Sequence, residues 1–311
     1  MQTTAIGTTA APSKGVRGWW ERNERAVIPY VMVAPFFVLF IIFMLWPVIN
    51  SFQLSFYEVS SATSKNFVGL ENYRRLLTQD TRFWTSIWNN TYFALGTILL
   101  QVPLALALAL ALNSPRVYLR SGVRLAVFVP YITSAVVVSL MFVMIFDENY
   151  GLLNAGLGYL GIDPVPWLGS ATWAMPSLIL LGLWIWVGRN SLYFLAGLQS
   201  IPPDLEEAAR IDGANEWQVF RNITVPLLRP VTLFVVMQGV IGSYQLFAQP
   251  YLLFRGTSGP QDSALTVVMY LYFNGFRSFR MGYASAIGYM LVIIIFVASL
   301  IQLYLFRIWE E

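Results

Sequence analysis

Six stretches of this chain are apolar for about 20 residues or more, long enough for a helix to cross a bilayer while satisfying its own backbone. They are Ala26–Phe52, Ile87–Leu112, Gly122–Phe146, Thr172–Leu198, Pro230–Phe254 and Tyr283–Phe306. One of them contains "PLALALALALALN", Pro103 to Asn113, which alternates with a period of two. Both alternating residues are apolar, so the pattern separates no wet face from a dry one, and Ala and Leu are strong helix formers. The segment therefore predicts a helix whose alanines let a neighbour approach closely. Between the first two stretches, "FVGLENYRRLL" carries Phe67, Leu70, Tyr73, Leu76 and Leu77 at helical spacing, which predicts a surface amphipathic helix.

Between the fourth and fifth stretches lies the polar segment "EEAARIDGANEWQVFRNITVPLLRP", Glu206 to Pro230. Pro202 and Pro203 end the fourth span. Asp204 is placed to cap a short helix, with Glu207 three residues on as its capping-box partner. That helix should stop at Asp212-Gly213, where Gly accepts a left-handed backbone. Asn215 and Gln218 form a second capping box for "EWQVFRNI", and Pro230 opens the next span. Leu205, Ala208, Ala209 and Ile211 give the first helix a modest apolar side; Trp217, Phe220 and Ile223 do so for the second. Such an element is either a solvated connector or a knuckle that fits a groove on another protein.

Lys and Arg set the expected orientation. Lys14, Arg17, Arg22 and Arg25 lie before the first span, Arg116 and Arg120 in the second loop, and Arg210, Arg221 and Arg229 in the polar segment. The stretch from Asp147 to Ala171 has no Lys or Arg but carries Asp147, Glu148 and Asp163. Both termini are therefore expected in the cytosol, although Lys65, Arg74, Arg75 and Arg82 in the first external loop run against the rule. The fold class is an all-α polytopic membrane protein with six transmembrane helices. Residues 1–25 are expected to form a cytosolic tail and interfacial segment, with Met1–Gly18 disordered rather than a cleaved signal. Residues 26–311 form the membrane domain, with the helix-Gly-helix loop at about 199–229.

Composition narrows the chemistry. The chain is 57% hydrophobic and 11% charged, with a net charge of +3, no Cys and no His. Thiol catalysis, disulfide scaffolds, His-based acid–base chemistry and CxxC zinc sites are excluded, and no basic stripe suggests nucleic acid. No G-x-x-x-x-G-K-[ST] phosphate cradle occurs. No catalytic and no metal site is expected. "GLLNAGLGYLG" is Gly-rich but follows no strand, so it is not a dinucleotide loop.

Polar groups inside the spans mark a pathway, since they are expensive in lipid and face a cavity or another helix. Gln238, Gly242, Gln245 and Gln249 recur at i, i+4, i+7 and i+11, one face of a continuous helix, with Tyr244 beside them. Trp186, Arg189, Asn190 and Tyr193 share a face of the fourth span. Amides and aromatic rings together suit a carbohydrate, while interhelical bonding explains single residues equally well. Arg189, the one charge deep in a span, leaves three roles open: facing water, holding an anionic substrate, or pairing with a partner.

Glu207-Ala208-Ala209, three residues, Gly213, nine residues, Ile223, one residue, then Val225-Pro226 resembles the EAA loop of bacterial ABC importer permeases, E-A-A-x3-G-x9-I-x-L-P. Val225 is the one departure. Leu195–Pro226, with "FVGLENYRRLL", "FVPYITSAVVVSLMFVMIF" and "GLLNAGLGYLG", is similar to the sugar and glycerol-phosphate group, and the likeness covers roughly Ile28 to Arg307. The resemblance implies a multi-pass subunit of the bacterial cytoplasmic membrane that imports a sugar or oligosaccharide. A glycerol phosphate or sugar phosphate is the alternative. It implies a second homologous permease subunit, an ABC ATPase dimer that binds the ATP and Mg, and an extracytoplasmic solute-binding protein. It also assigns the docking residues: Glu207 toward a basic group of the ATPase, Ala208 and Ala209 for close approach, Asp212-Gly213 for the turn, Ile223 and Pro226 to close the motif. The first external loop is too short for the extra domain of the enteric maltose permease. An ion-coupled transporter would need buried carboxylates in the spans, and there are none.

Overall fold

The computed structural model describes residues 16–59, 65–114 and 120–310. The expected tail as far as Gly15, and Arg116 of the second loop, lie outside the described residues; Val16 already begins a helix. The chain divides into two units, Met1–Leu54 and Ser55–Glu311.

The first unit is helical: α1 (Val16–Phe40), a π-helical turn at Ile41–Leu45, and α2 (Trp46–Leu54). The widened turn falls where the ring of Pro47 would meet the carbonyl of Phe43 four residues back. Arg25–Leu54 is long and apolar enough to cross a membrane.

The second unit opens with a hairpin of β1 (Tyr57–Val59) and β2 (Lys65–Phe67), in which Glu58 pairs with Asn66. Next comes α3 (Glu71–Thr78). The expected amphipathic helix is present but shorter. Its inner side is Leu76, fully buried, and Asn72, whose amide donates to the carbonyls of Ser55 at 2.8 Å and Tyr57 at 3.1 Å. Phe67 sits in β2 and Leu70 precedes the helix, and both are exposed.

The long helix α4 (Thr81–Asn113) confirms the helical reading of the Ala-Leu run; Asp80 caps it, accepting from the Phe83 amide at 3.0 Å. Then follow α5 (Arg120–Ile132), α6 (Ala135–Ile145), α7 (Leu152–Tyr159) and α8 (Ala171–Gln199). The expected single helix over Gly122–Phe146 is broken, with a 93° bend between α5 and α6. Ser134 leaves helical conformation (φ −54, ψ 131), and the Thr133 hydroxyl bonds back to the Val129 carbonyl at 2.8 Å. The Gly-rich stretch supplies α7, pinned by Asn154. Its amide donates to the carbonyls of Glu148 and Val165, and its oxygen accepts from the Trp167 indole at 2.8 Å.

After α8 come the short helices α9 (Pro203–Ile211), α10 (Glu216–Val219) and α11 (Val225–Leu227), with a π turn at Phe220–Thr224. The spanning helix α12 (Arg229–Tyr244) is followed by α13 (Ala248–Leu253), α14 (Val267–Tyr272), a π turn at Phe273–Arg277, and α15 (Met281–Glu310). The fifth expected span therefore ends ten residues early. Gln245 closes α12, and Phe247 is far from helical (φ −138, ψ −58) before α13 starts. Among the described residues, four helices are long and apolar enough to span, or up to six when each bent pair counts as one span.

Helices α4 and α8 pack side by side and run the same way. Ala105 and Ala109 lie against Phe194, Leu195 and Leu198, and the same cluster takes in Leu228 and Val235 from α12. Asn90, near the start of α4, donates to the carbonyl of Ser243, near the end of α12, at 2.6 Å. Thus α12 returns against α4. At the starting end of α4, Asp80 accepts hydrogen bonds from Tyr270 of α14 at 2.6 Å and from Tyr283 of α15, tying three helices together.

Candidate functional site

The helix-Gly-helix element forms as the sequence implies, with one change at its start. Pro202 is extended and caps α9 without a side chain, and Pro203 is its first residue. The fixed φ of proline suits that position and its missing N–H is not needed there. Asp204 and Glu207 therefore make no capping box. Instead Asp204 and Glu206 occupy the first turn, where the helix dipole favours negative charge. Asp212 ends α9, and Gly213 turns the chain at φ +86. The second capping box is present: the Gln218 amide donates to Asn215 Oδ1 at 2.9 Å and the Asn215 amide to Gln218 Oε1 at 2.8 Å.

Arg210 braces the turn. Its Nε donates to Glu216 Oε1 at 3.0 Å and its Nη2 to Glu206 Oε2 at 3.3 Å, which fixes α10 relative to α9. Glu207 and Ala208 stay exposed at the tip with Asp212 and Gly213, and Ala209 is half-buried. Ile211 is 85% and Trp217 64% exposed, so these two apolar side chains of the element have no cover among the described residues. Ile223 and Pro226 lie apart from the tip, half-buried at its root beside buried Thr224.

The pathway residues gather only in part. A pocket of about 100 Å3 is lined by Gln101, Trp186, Arg189, Gln238, Gly239 and Gly242, where α4, α8 and α12 meet. The Arg189 guanidinium lies 4.8 Å from the centre of the Tyr131 ring, and its Nε donates to Asn190 Oδ1 at 3.4 Å. Trp186 stands edge-on to Phe93 at 5.7 Å. Asn190 adjoins the pocket, buried, with an Nδ2 that finds no partner.

The other candidates fall elsewhere. Tyr193 packs on Phe234 at 5.2 Å. Tyr244 is buried among Leu76, Phe83 and Ile287, its hydroxyl bonded to Thr91 at 2.8 Å. Because α12 stops, Gln245 is an exposed cap residue, and Gln249 lies on α13 beyond the break. The four-residue stripe is therefore not one helical face; only Gln238 and Gly242 share it. Sequence reasoning missed Gln101. It is 1% exposed, it lines the pocket, and its Oε1 has no partner. A single amide in the middle of an expected span was the available signal.

The family model described as "Binding-protein-dependent transport system inner membrane component" matches residues 101–309, which include both the pocket and the helix-Gly-helix element. The chain belongs to this family. It is 40% identical to the arabinooligosaccharides transport system permease protein AraP of Bacillus subtilis, over 97% of each chain. It is 35% identical to the lactose transport system permease protein LacF of Rhizobium radiobacter, over 89% of this chain and 93% of that one. Among solved structures, a bacterial ABC transporter involved in the import of the acidic polysaccharide alginate superposes with a TM-score of 0.78 at 25% identity. That match covers 94% of this chain and 99% of the other. The same kind of transporter, in complex with an alginate pentasaccharide-bound periplasmic protein, gives 0.79 at 26%. This family member is thus a multi-pass membrane protein whose relatives are ABC transport permeases.

Proposed function

We propose that this chain is one of two homologous permease subunits of an ATP-driven importer for a neutral sugar or oligosaccharide. In this reading the chain crosses a bacterial inner membrane six times, with both termini and the Glu206–Pro230 element on the cytosolic side; the four to six candidate spans among the described residues support it. The carrying observation is that element: a turn braced by Arg210, which leaves Ile211 and Trp217 bare and Glu207 without a partner among the described residues. Apolar side chains held out in this way need a groove on another protein. A separate ATPase, which binds the ATP and Mg, supplies it. Glu207, Ala208, Ala209, Asp212 and Gly213 make the contact, and Ile223 and Pro226 root it in the bundle. The chain supplies a lever and half of a channel, and a partner supplies the chemistry.

Gln101, Trp186, Arg189 and Gln238 form the pathway wall on this side, with Asn190 behind Arg189. Relatives named for arabinooligosaccharides, lactose and trehalose/maltose support a saccharide. The amides at the pocket favour a neutral one over a sugar phosphate, because they donate to and accept from hydroxyls. Arg189 rests on the face of Tyr131, a contact worth roughly 0.5–2 kcal/mol that leaves its charge intact.

The test is uptake by the complex reconstituted with its ATPase, partner permease and binding protein. Arabinooligosaccharides, lactose, maltose and glycerol phosphate are compared, with and without ATP. ATP-dependent uptake of a neutral saccharide is expected. Uptake by this chain alone, or uptake driven by an ion gradient, sinks the reading.

A further inference from the structure

Between the end of α6, the start of α8 and the turn after α13 lies a cavity of about 550 Å3. Its walls are mostly turns beyond helix ends, and it shares no lining residue with the pocket of about 100 Å3 between α4, α8 and α12. Small-molecule sites run to about 300–1,000 Å3, so the larger cavity has the size of one and the smaller does not. Phe146 and Trp167 give it an aromatic floor that is set in advance. Their rings lie 5.8 Å apart, and the Trp167 indole already donates to Asn154 Oδ1 at 2.8 Å. Glu148 and Arg255 line the cavity as well. Both are exposed, and neither forms an ion pair among the described residues.

The segment that carries Arg255 is held in a strained conformation. Arg255, Gln261 and Asp262 have φ of +52, +53 and +58. Such strain persists where the surroundings over-determine it, and it gathers at ligand clamps. Here Arg82 grips both carboxylate oxygens of Asp262 at 2.7 and 2.8 Å, and Asn89 donates to the Asp262 carbonyl at 2.9 Å. The two unpaired side chains have opposite chemistry. A carboxylate only accepts hydrogen bonds and a guanidinium only donates them, so together they match a ligand that does both. Sugar hydroxyls do both, and the C–H face of a sugar ring suits an aromatic floor. Asp147, which accepts from the Asn149 and Tyr150 amides at 3.0 and 2.9 Å, adds a second negative charge to the lining. Two carboxylates against one guanidinium disfavour an acidic or phosphorylated sugar.

We propose that this cavity is a second saccharide-binding site, for a neutral oligosaccharide, separate from the pocket at Arg189. Glu148 accepts from the hydroxyls of one sugar unit and Arg255 donates to them, with the ring against the Phe146–Trp167 floor. The proposal rests on the importer reading above, which puts this end of α8 outside the membrane. Trp186 of the inner pocket stands 15 residues along α8 from Ala171, about 22 Å of helix. A sugar held at Glu148 and Arg255 is therefore bound before it enters the spans.

The test is calorimetric titration of the whole complex in lipid nanodiscs, without ATP and without the binding protein, using maltotriose, arabinotriose and glycerol phosphate. The wild type should bind at least one trisaccharide saturably, and glycerol phosphate about tenfold more weakly or less. Glu148→Gln and Arg255→Gln each remove one charged hydrogen-bonding group, and each should weaken trisaccharide binding about tenfold. Gly169→Leu narrows the cavity from its wall. A Cβ there meets nothing closer than 3.7 Å, so the fold accepts it, and binding should be lost. Melting temperatures equal to the wild type show that the variants are intact. If the wild type binds no trisaccharide saturably, or all three variants keep its affinity, the site is overturned. ATP-driven uptake with the binding protein, measured on the same preparation, separates the two readings: uptake without this binding removes the site and leaves the importer, and a wild type that takes up no solute removes the importer reading.

Discussion

Gly213 offers a clean test of the lever. It turns the chain at φ +86, and a Cβ built on it meets no atom within 4 Å. Substituting Ala therefore adds no clash and tests backbone conformation alone. An L-residue in the left-handed region is disfavoured by about 1–2 kcal/mol, and a β-branched residue by more. Each 1.4 kcal/mol is roughly tenfold in an equilibrium. If docking requires this turn, Gly213→Ala should weaken association with the ATPase subunit roughly 5- to 30-fold, and Gly213→Val further. Gly213→Asn should stay within a few-fold, because Asn tolerates the left-handed region. The turn is exposed and remote from the packed helices, so the melting temperature of the permease alone should be unchanged. The assay is a binding titration of the co-purified ATPase against the permease pair in nanodiscs, followed by ATP-driven uptake. If Gly213→Val binds as the wild type does, the turn is not the docking determinant and the argument from φ fails.

Gln101→Leu replaces a buried amide whose oxygen has no partner with an apolar group of similar size. Thermal stability in detergent should hold or rise, since an unsatisfied acceptor costs about 1–3 kcal/mol, while uptake falls; unchanged uptake removes Gln101 from the pathway. At Gly188 a Cβ would overlap the Val127 carbonyl oxygen and come within 3.1 Å of Val127 Cγ1, so Gly188→Ala must push α5 away from α8. A loss of about 1–3 kcal/mol, read as a lowered melting temperature, is expected, and an unchanged melt refutes that close approach. Burial, and then the bond to Asp80, pushes the Tyr270 phenol up to about 12. The native state thus holds that proton more tightly than an unfolded tyrosine near pH ~10 does. The associated stability is complete below pH ~10 and is lost as the pH rises through about 12. Phenolate absorbance of wild type minus Tyr270→Phe checks it, and ionisation near 10 would contradict the burial.

Elements defined by local chemistry were legible in the sequence. The Ala-Leu run, the Asn215–Gln218 capping box and the Gly213 turn each depend on residues within four positions, and each is present as expected. What failed was continuity. Hydropathy does not register a helix end inside an apolar run, so the breaks at Thr133–Ser134 and Gln245–Phe247 were invisible, and with the second went half of the glutamine stripe. The Asp204 cap failed because Pro203 competes for the helix start. Gln101 sits in a run whose Ala and Leu residues specify only helix, and its one signal is an amide among leucines, buried in the structure.

The breaks also explain how the two candidate sites can communicate. The lever is not joined to the pathway by a flexible loop. From Asn215 the chain stays helical through α10, the π turn and α11, bends by 61° at Leu228, and continues as α12 to the pocket. Leu228 is 1% exposed and packs with Phe194 and Leu198 of α8, so the bend is clamped in the bundle. Gln238 stands ten residues beyond it, about 15 Å along the helix. On the importer reading proposed above, a displacement imposed on α10 would reach the pocket along this bent helical path, with Leu228 packed on α8, the helix that carries Arg189. The opposite wall repeats the device: α5 bends by 93° into α6 just after Tyr131, the ring on which Arg189 rests. Straight spans would transmit an axial push. On that same reading, two bent ones that meet at the pocket would turn a lateral pull on the knuckle into a change of its width.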